Sequence, residues 1–190
     1  RMAPRAVIVG SGSHIPPNRV TNDMLARLMD TSDEWIRERS GVEARHYVDP
    51  GTGTSDLGVE AARAALQNAG VQPDEIDLVV FATMTPDHYF PGAGALLQAK
   101  LGLRHVPCFD LRQQCVGFLY GLQLVDAHVR AGLAKTVLLI GADAAVDHDP
   151  TGDDRRHDRA VRRPHRHRRV HRRVPAPHVD LLATSAPIRA

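Results

Sequence analysis

Cys115 stands in the run Asp110-Leu111-Arg112-Gln113-Gln114-Cys115-Val116-Gly117-Phe118, where an extended apolar stretch gives way to a helical pattern. A thiol at a helix start lies near unpaired backbone N–H groups and a partial positive charge. Both favour thiolate, the form that attacks electrophilic carbon. The glycines at 117 and 121 leave room for other backbone to approach this helix. Cys108 differs: it falls inside the strand-like run Val106-Pro107-Cys108-Phe109 and reads as a small packed hydrophobe. From the residues alone, Cys115 is either a nucleophile or a second buried thiol, and no disulfide between the two is expected.

The elements around Cys115 must form one α/β body. Arg5 to Gly10 reads as a first strand closed by the turn Gly10-Ser11-Gly12-Ser13, and Pro16-Pro17 prevents an immediate helix. Thr21-Asn22-Asp23 starts a helix through Leu25 and Leu28. Thr31-Ser32-Asp33-Glu34 has the spacing of a capping box for another, ending near Gly41. Leu57, Ala61, Ala64 and Ala65 recur at helical spacing from Ser55 to Gly70, with Pro73 beyond as a stop. Strands are expected over Leu78–Thr83, Val106–Leu111 and Thr136–Gly141, and helices over Pro91–Leu101 and Val116–Ala131. The continuously apolar Leu78-Val79-Val80-Phe81-Ala82 suits a strand buried on both faces, so the sheet is largely parallel with helices on both sides.

Charge divides the chain. Residues 1–150 hold 13 Lys/Arg against 18 Asp/Glu, whereas residues 151–190 hold 11 Arg against 4 acids. Residues 1–146 therefore read as the folded body and 147–190 as an Arg/His/Pro-rich tail too poor in apolar periodicity to build a core. The abrupt change to Arg, His, Pro, Ala and Val is what out-of-frame reading of GC-rich DNA produces. A frameshift near 145–153 is one account of the tail and a disordered basic arm the other. Such an arm would favour an acidic partner such as a carrier protein. Nucleic acid is disfavoured because no aromatic residues interleave the arginines. His165, His167 and His171 sit among arginines that repel a cation, so no metal is expected. No apolar run approaches the length of a membrane span and two cysteines suit a reducing compartment, which points to the cytoplasm.

Four segments resemble the type III β-ketoacyl-acyl-carrier-protein synthases of the thiolase-like superfamily. They are Val9-Gly10-Ser11-Gly12-Ser13 with Pro16, Asp30-Thr31-Ser32-Asp33-Glu34-Trp35-Ile36 through Arg39-Ser40-Gly41-Val42, His88-Tyr89-Phe90-Pro91, and Gln114-Cys115-Val116-Gly117-Phe118. The resemblance runs from about residue 5 to 143 and implies the N-terminal half of a layered thiolase-like α/β fold. It also implies a decarboxylative Claisen condensation in fatty acid or polyketide synthesis. An acyl-CoA primer acylates Cys115, and malonyl-acyl-carrier protein then attacks the thioester after losing carbon dioxide. The Cys115 N–H would supply one oxyanion donor. Trp35 would stack on the CoA adenine and Arg39 lie near its phosphate, while Phe90 would shape the primer pocket of a partner subunit in a homodimer. The plainer alternatives are a Trp35 that packs its helix onto the core, a solvated Arg39 and a core Phe90. CoA enters as a thioester substrate, and no resident cofactor is implied.

Family members complete the site with a histidine and an asparagine from their second half, and nothing after about residue 147 resembles that half. None of His14, His46, His88, His105 and His128 aligns with the catalytic histidine. An inactive half-domain is thus the main rival reading, followed by a basic-tailed interaction protein that binds carrier protein without catalysis. A dinucleotide site at Gly10-Ser11-Gly12 is opposed by Ile15 and by Pro16-Pro17, which replace the third glycine and the helix start that would hold a pyrophosphate. A serine hydrolase is opposed by the lack of a Gly-x-Ser-x-Gly elbow.

Overall fold

The computed structural model describes residues 5–144, so the expected tail at 147–190 lies outside the described residues. Among the described residues, five strands and five α-helices of four or more residues follow one another: β1 (Asn18–Thr21), α1 (Asn22–Ala26), α2 (Asp33–Ser40), β2 (Ala44–Tyr47), α3 (Thr54–Ala69), β3 (Leu78–Ala82), α4 (Ala93–Leu101), β4 (Cys108–Leu111), α5 (Gly117–Arg130) and β5 (Val137–Gly141). The main sheet is parallel, in the order β4-β3-β5, with Val80 opposite Phe109 on one side and Leu139 on the other.

All five side chains of β3 are buried, as its unbroken apolar run requires. Successive residues point to opposite faces. Val79 and Phe81 join Leu57, Leu66 and Leu97 in the core under α3 and α4, whereas Leu78 and Val80 meet Val125 and Val129 of α5. The result is three layers, helix on sheet on helix. Along α5, Gly121 leaves room for a side chain rather than for backbone: a Cβ there would lie 2.5 Å from Leu139 Cδ1.

Most helix ends fall where the stop signals place them, with Gly41, Gly70 and Gly102 each in the left-handed conformation past a last turn. Thr21 caps α1 through a bond from Met24 N. The capping box expected from Thr31 to Glu34 does not form: Ser32 is the N-cap of α2 and accepts from the N3 amide, that of Trp35, whose indole cannot return the second bond of a box. Leu28 falls beyond the end of α1 and is exposed.

One expected strand is missing, and one ladder appears where none is expected. The segment from Arg5 to Gly10 forms no strand, and among the described residues it pairs with none. Side chains from helices satisfy its flanking amides instead: Ala6 N–H donates to Asp126 Oδ1 (3.0 Å) and Ser11 N–H to Asn68 Oδ1 (3.0 Å). Val7 and Ile8 remain 55% and 54% exposed, so the apolar run marks an extended strap across α3 and α5 rather than a paired strand. Conversely, β1 and β2 form an antiparallel ladder, Asn18 opposite Tyr47, that the polar sequences Asn-Arg-Val-Thr and Ala-Arg-His-Tyr do not announce.

This small ladder and helices α1 and α2 enclose Val20, Leu25, Ile36 and Val42. Within it, Arg45 (5% exposed) donates to Asn22 Oδ1 (2.7 Å), and Asn22 Nδ2 donates to Asp33 Oδ1 (2.8 Å) and Val42 O (2.7 Å). These buried polar groups are paired with one another, as a desolvated core demands, except for Arg45 Nε, which is buried without a hydrogen-bond partner.

The Gly-Ser-Gly turn has a packing role. A Cβ on Gly12 would strike backbone atoms of α3, the amide of Ala65 and the carbonyl of Ala61, and neither can swing aside. Gly12→Ala should therefore lower unfolding stability by about 1–3 kcal/mol, measured as a lower denaturant midpoint at unchanged slope. A midpoint equal to that of the parent chain would show that the strap does not sit on α3.

Candidate active site

Parallel pairing brings the carboxyl ends of β3, β4 and β5 to one edge of the sheet, the place where open α/β folds form their sites. After β4 the chain makes a single 3₁₀ turn, Gln114–Val116, and passes directly into α5. Cys115 is the middle residue of that turn and is exposed. Gln114, immediately before it, has φ 42°, the left-handed region in which a residue with a side chain is strained by roughly 1–2 kcal/mol.

The neighbouring loop, after β3, is Thr83-Met84-Thr85-Pro86-Asp87. Its first turn gathers on Asp143, which follows β5. Asp143 Oδ1 accepts from Thr83 Oγ1 (3.0 Å), Met84 N (2.7 Å), Thr85 N (3.2 Å) and Thr85 Oγ1 (3.2 Å). Met84 Sδ in turn accepts from the amide of Gln114 at 3.4 Å. On the other flank of this loop lies a cleft of about 500 Å³ whose lining includes Thr54, Asp56, Met84, Asp87, His88 and Lys100. Lys100 donates to Ser55 Oγ (2.7 Å) and Asp56 Oδ1 (2.6 Å). Burial alone would push the Asp56 carboxyl up, but the Lys100 ammonium and the Gly53 N–H outweigh it and hold the group below its ordinary value.

Cys108 lies on β4, half-buried, with its sulfur 2.9 Å from Gln98 Oε1. Burial and then the nearby Asp110 carboxylate push its thiol up, while Asp110 itself accepts from the Ala93 and Gly94 amides (2.6 and 2.8 Å) at the start of α4. Both cysteines are free, and Cys108 packs, partly buried, against the core under α3 and α4.

Trp35 and Arg39 are one turn apart on α2, and the guanidinium carbon sits 4.5 Å from the indole centroid. The indole is 42% exposed, so Trp35 is not consumed by the core. Phe90 is 91% exposed, which overturns its reading as a core phenylalanine. Its neighbour Tyr89 stacks under Arg112, 4.3 Å from ring centre to guanidinium, tying the Phe90 loop to the stretch that leads into Cys115. Trp35 and Arg39 belong instead to the small β1–β2 unit. Sequence reasoning passed over Met84, Thr85 and Asp143; the available signal was a polar cluster just past two strands that both end at the same sheet edge. No group of three or more His, Cys, Asp or Glu residues among those described forms a metal site.

A family model described as 3-oxoacyl-[acyl-carrier-protein (ACP)] synthase III matches residues 109–157, the stretch from β4 through Cys115 and onward. The β-ketoacyl-[acyl-carrier-protein] synthase III of Rhodospirillum rubrum is 51% identical over 140 residues, 73% of this chain and 43% of that protein. That of Neisseria meningitidis serogroup A is 48% identical over 139 residues, again 73% and 43%. Among solved structures, the 3-oxoacyl-[acyl-carrier-protein] synthase III of Aquifex aeolicus superposes with a TM-score of 0.69 at 40% identity, covering 73% of this chain and 44% of that one. The priming β-ketosynthase of the R1128 polyketide pathway gives 0.71 at 33% identity, covering 81% and 47%.

The layered α/β arrangement, with its cysteine turn at the sheet edge, is the thiolase-like fold. Within that class the chain belongs, as a partial sequence, to the type III β-ketoacyl-acyl-carrier-protein synthases. It spans less than half the length of the curated relatives it matches, 43% for the Rhodospirillum rubrum protein. Among the described residues no helix is long and apolar enough to cross a membrane.

Exposure and environment sort the two thiols. Limited alkylation with iodoacetamide at neutral pH should label Cys115 first, with Cys108 labelling only as pH rises past the ordinary thiol range, because its pKa is raised. Peptide-resolved mass spectrometry reads the order, and equal rates would contradict this assignment of environments.

Proposed function

We propose that this chain carries the primer-accepting machinery of a β-ketoacyl-acyl-carrier-protein synthase III, with Cys115 as nucleophile. The observation that carries the reading is the placement of an exposed Cys115 on a strained turn at the carboxyl edge of the parallel sheet, directly before α5. The Cys115 thiolate adds to the carbonyl of an acyl-CoA, the tetrahedral oxyanion collapses, and CoA leaves as its thiolate, which takes up a proton. The Cys115 N–H is the proposed donor to that oxyanion. An acyl-enzyme thioester remains, ready for the carbanion that malonyl-acyl-carrier protein generates on losing carbon dioxide.

Trp35 and Arg39 suit the nucleotide end of CoA, since an exposed indole offers a stacking face and the guanidinium a phosphate partner. Phe90 stands out from its own protomer, which favours a role across a homodimer contact. CoA is a substrate in this reading, and no resident cofactor takes part. Acyl-CoA and carrier-protein thioesters as substrates are consistent with a cytoplasmic setting.

Incubation with an acyl-CoA should add one acyl mass to the intact chain, released by hydroxylamine, absent in Cys115→Ser and retained in Cys108→Ala. Trp35→Ala should raise the acyl-CoA concentration needed for half-maximal acylation about tenfold while leaving alkylation of Cys115 by iodoacetamide unchanged. Acyl label persisting in Cys115→Ser would overturn the assignment. The family's histidine and asparagine have no matched positions in this sequence, so label on the 190-residue chain should persist when malonyl-acyl-carrier protein is added. Turnover to β-ketoacyl product would show that these residues suffice for condensation.

A further inference from the structure

We propose that Met84 and Asp143 are positioning residues for Cys115, acting through the amide of Gln114 to hold the cysteine turn in its strained form. This rests on reading Cys115 as the nucleophile and adds what keeps it in place. Gln114 needs a reason to stay at φ 42°, since a residue with a side chain relaxes out of that region unless its surroundings hold it there. Its N–H finds no carbonyl in a ladder or helix but donates to Met84 Sδ at 3.4 Å. A thioether is a weak acceptor on a flexible arm, so the bond forms only if the arm is anchored.

Asp143 supplies the anchor. One of its oxygens gathers four donors from Thr83, Met84 and Thr85, the Met84 amide being nearest at 2.7 Å. Two further bonds close the turn: Ala144 N–H donates to Thr85 Oγ1 (2.9 Å) and Thr54 Oγ1 to the Thr85 carbonyl. Hydrogen bonds to an ionised acceptor are the strong ones, so the backbone at Met84 is fixed and its sulfur delivered to the turn after β4. The path runs from the end of β5, through the end of β3, to the residue before the nucleophile.

The test compares Met84→Leu, which keeps volume and removes the acceptor, with Met84→Leu combined with Gln114→Gly, in which positive φ no longer carries a penalty. Two readouts are needed: the rate constant of Cys115 acylation at saturating acyl-CoA, and hydrogen exchange at the Gln114 amide. Met84→Leu should slow acylation about tenfold at an unchanged half-saturating concentration and speed Gln114 exchange, and the added Gln114→Gly should recover most of the acylation rate. Asp143→Ala should reproduce the defect and Asp143→Asn, which keeps an acceptor oxygen, should relieve it. If Asp143→Ala does not fold, the Met84 pair decides alone. A parental acylation rate in Met84→Leu, or no recovery by Gln114→Gly, would overturn the proposal. Should the parent chain take no acyl group, the functional reading fails while exchange still tests the positioning: an unaltered Gln114 amide in Met84→Leu would sink it.

Discussion

Everything in this fold hangs from the burial of β3 on both faces. Five consecutive apolar side chains cannot meet water, so helices must cover both sides of the sheet, and parallel neighbours follow because each crossover lays down a covering helix. Once β4 and β5 flank β3 in parallel, three chain segments leave the sheet at the same edge. The cysteine turn, the threonine loop and Asp143 meet there because the core requires it. The candidate site therefore lies where apolar packing ends and backbone polar groups must find new partners.

Carboxylates supply many of those partners. Asp110 holds the start of α4, Asp87 the start of α3 through Ser55, and Asp77 the amides of Lys135 and Thr136 ahead of β5. Each joins segments well separated in sequence, so loops that look independent are tied to elements they do not adjoin. Between the sheet and the loops, apolar burial decides which elements meet and charge-assisted bonds decide how their ends are oriented.

How much of this was legible follows from range. Helices α3 to α5 and strands β3 to β5 advertise themselves through local periodicity and glycine stops, and Cys115 through its position where two such patterns meet. Trp35 and Arg39 stand out through the family resemblance, while their stacking on each other is seen only in the structure, where four residues on a helix make them neighbours. The strap from Arg5 to Gly10 misleads because an apolar run shows only that a segment prefers to leave water, while a ladder needs a partner. The β1–β2 ladder escapes notice for the opposite reason: four-residue strands carrying Asn, Arg and His show no alternation. Sequence can place Met84 and Asp143 just past strands that end at the same sheet edge, but their contacts span dozens of residues and appear only in the structure.

Asn22 gives the small unit a particular kind of fragility. Its single side-chain amide group reaches both ends of α2, at Asp33 in the first turn and at Val42 just past the closing glycine, while its oxygen takes the Arg45 guanidinium. The helix that presents Trp35 and Arg39 is thus held like a bow by one string. Hydrolysis of that amide to a carboxylate would replace the donor with a second negative oxygen, facing the Asp33 carboxylate and the Val42 carbonyl, and only Arg45 would remain attracted to it. At 1% exposure Asn22 is locked among those partners, so the orientation of the α2 surface depends on the chemical state of one side chain.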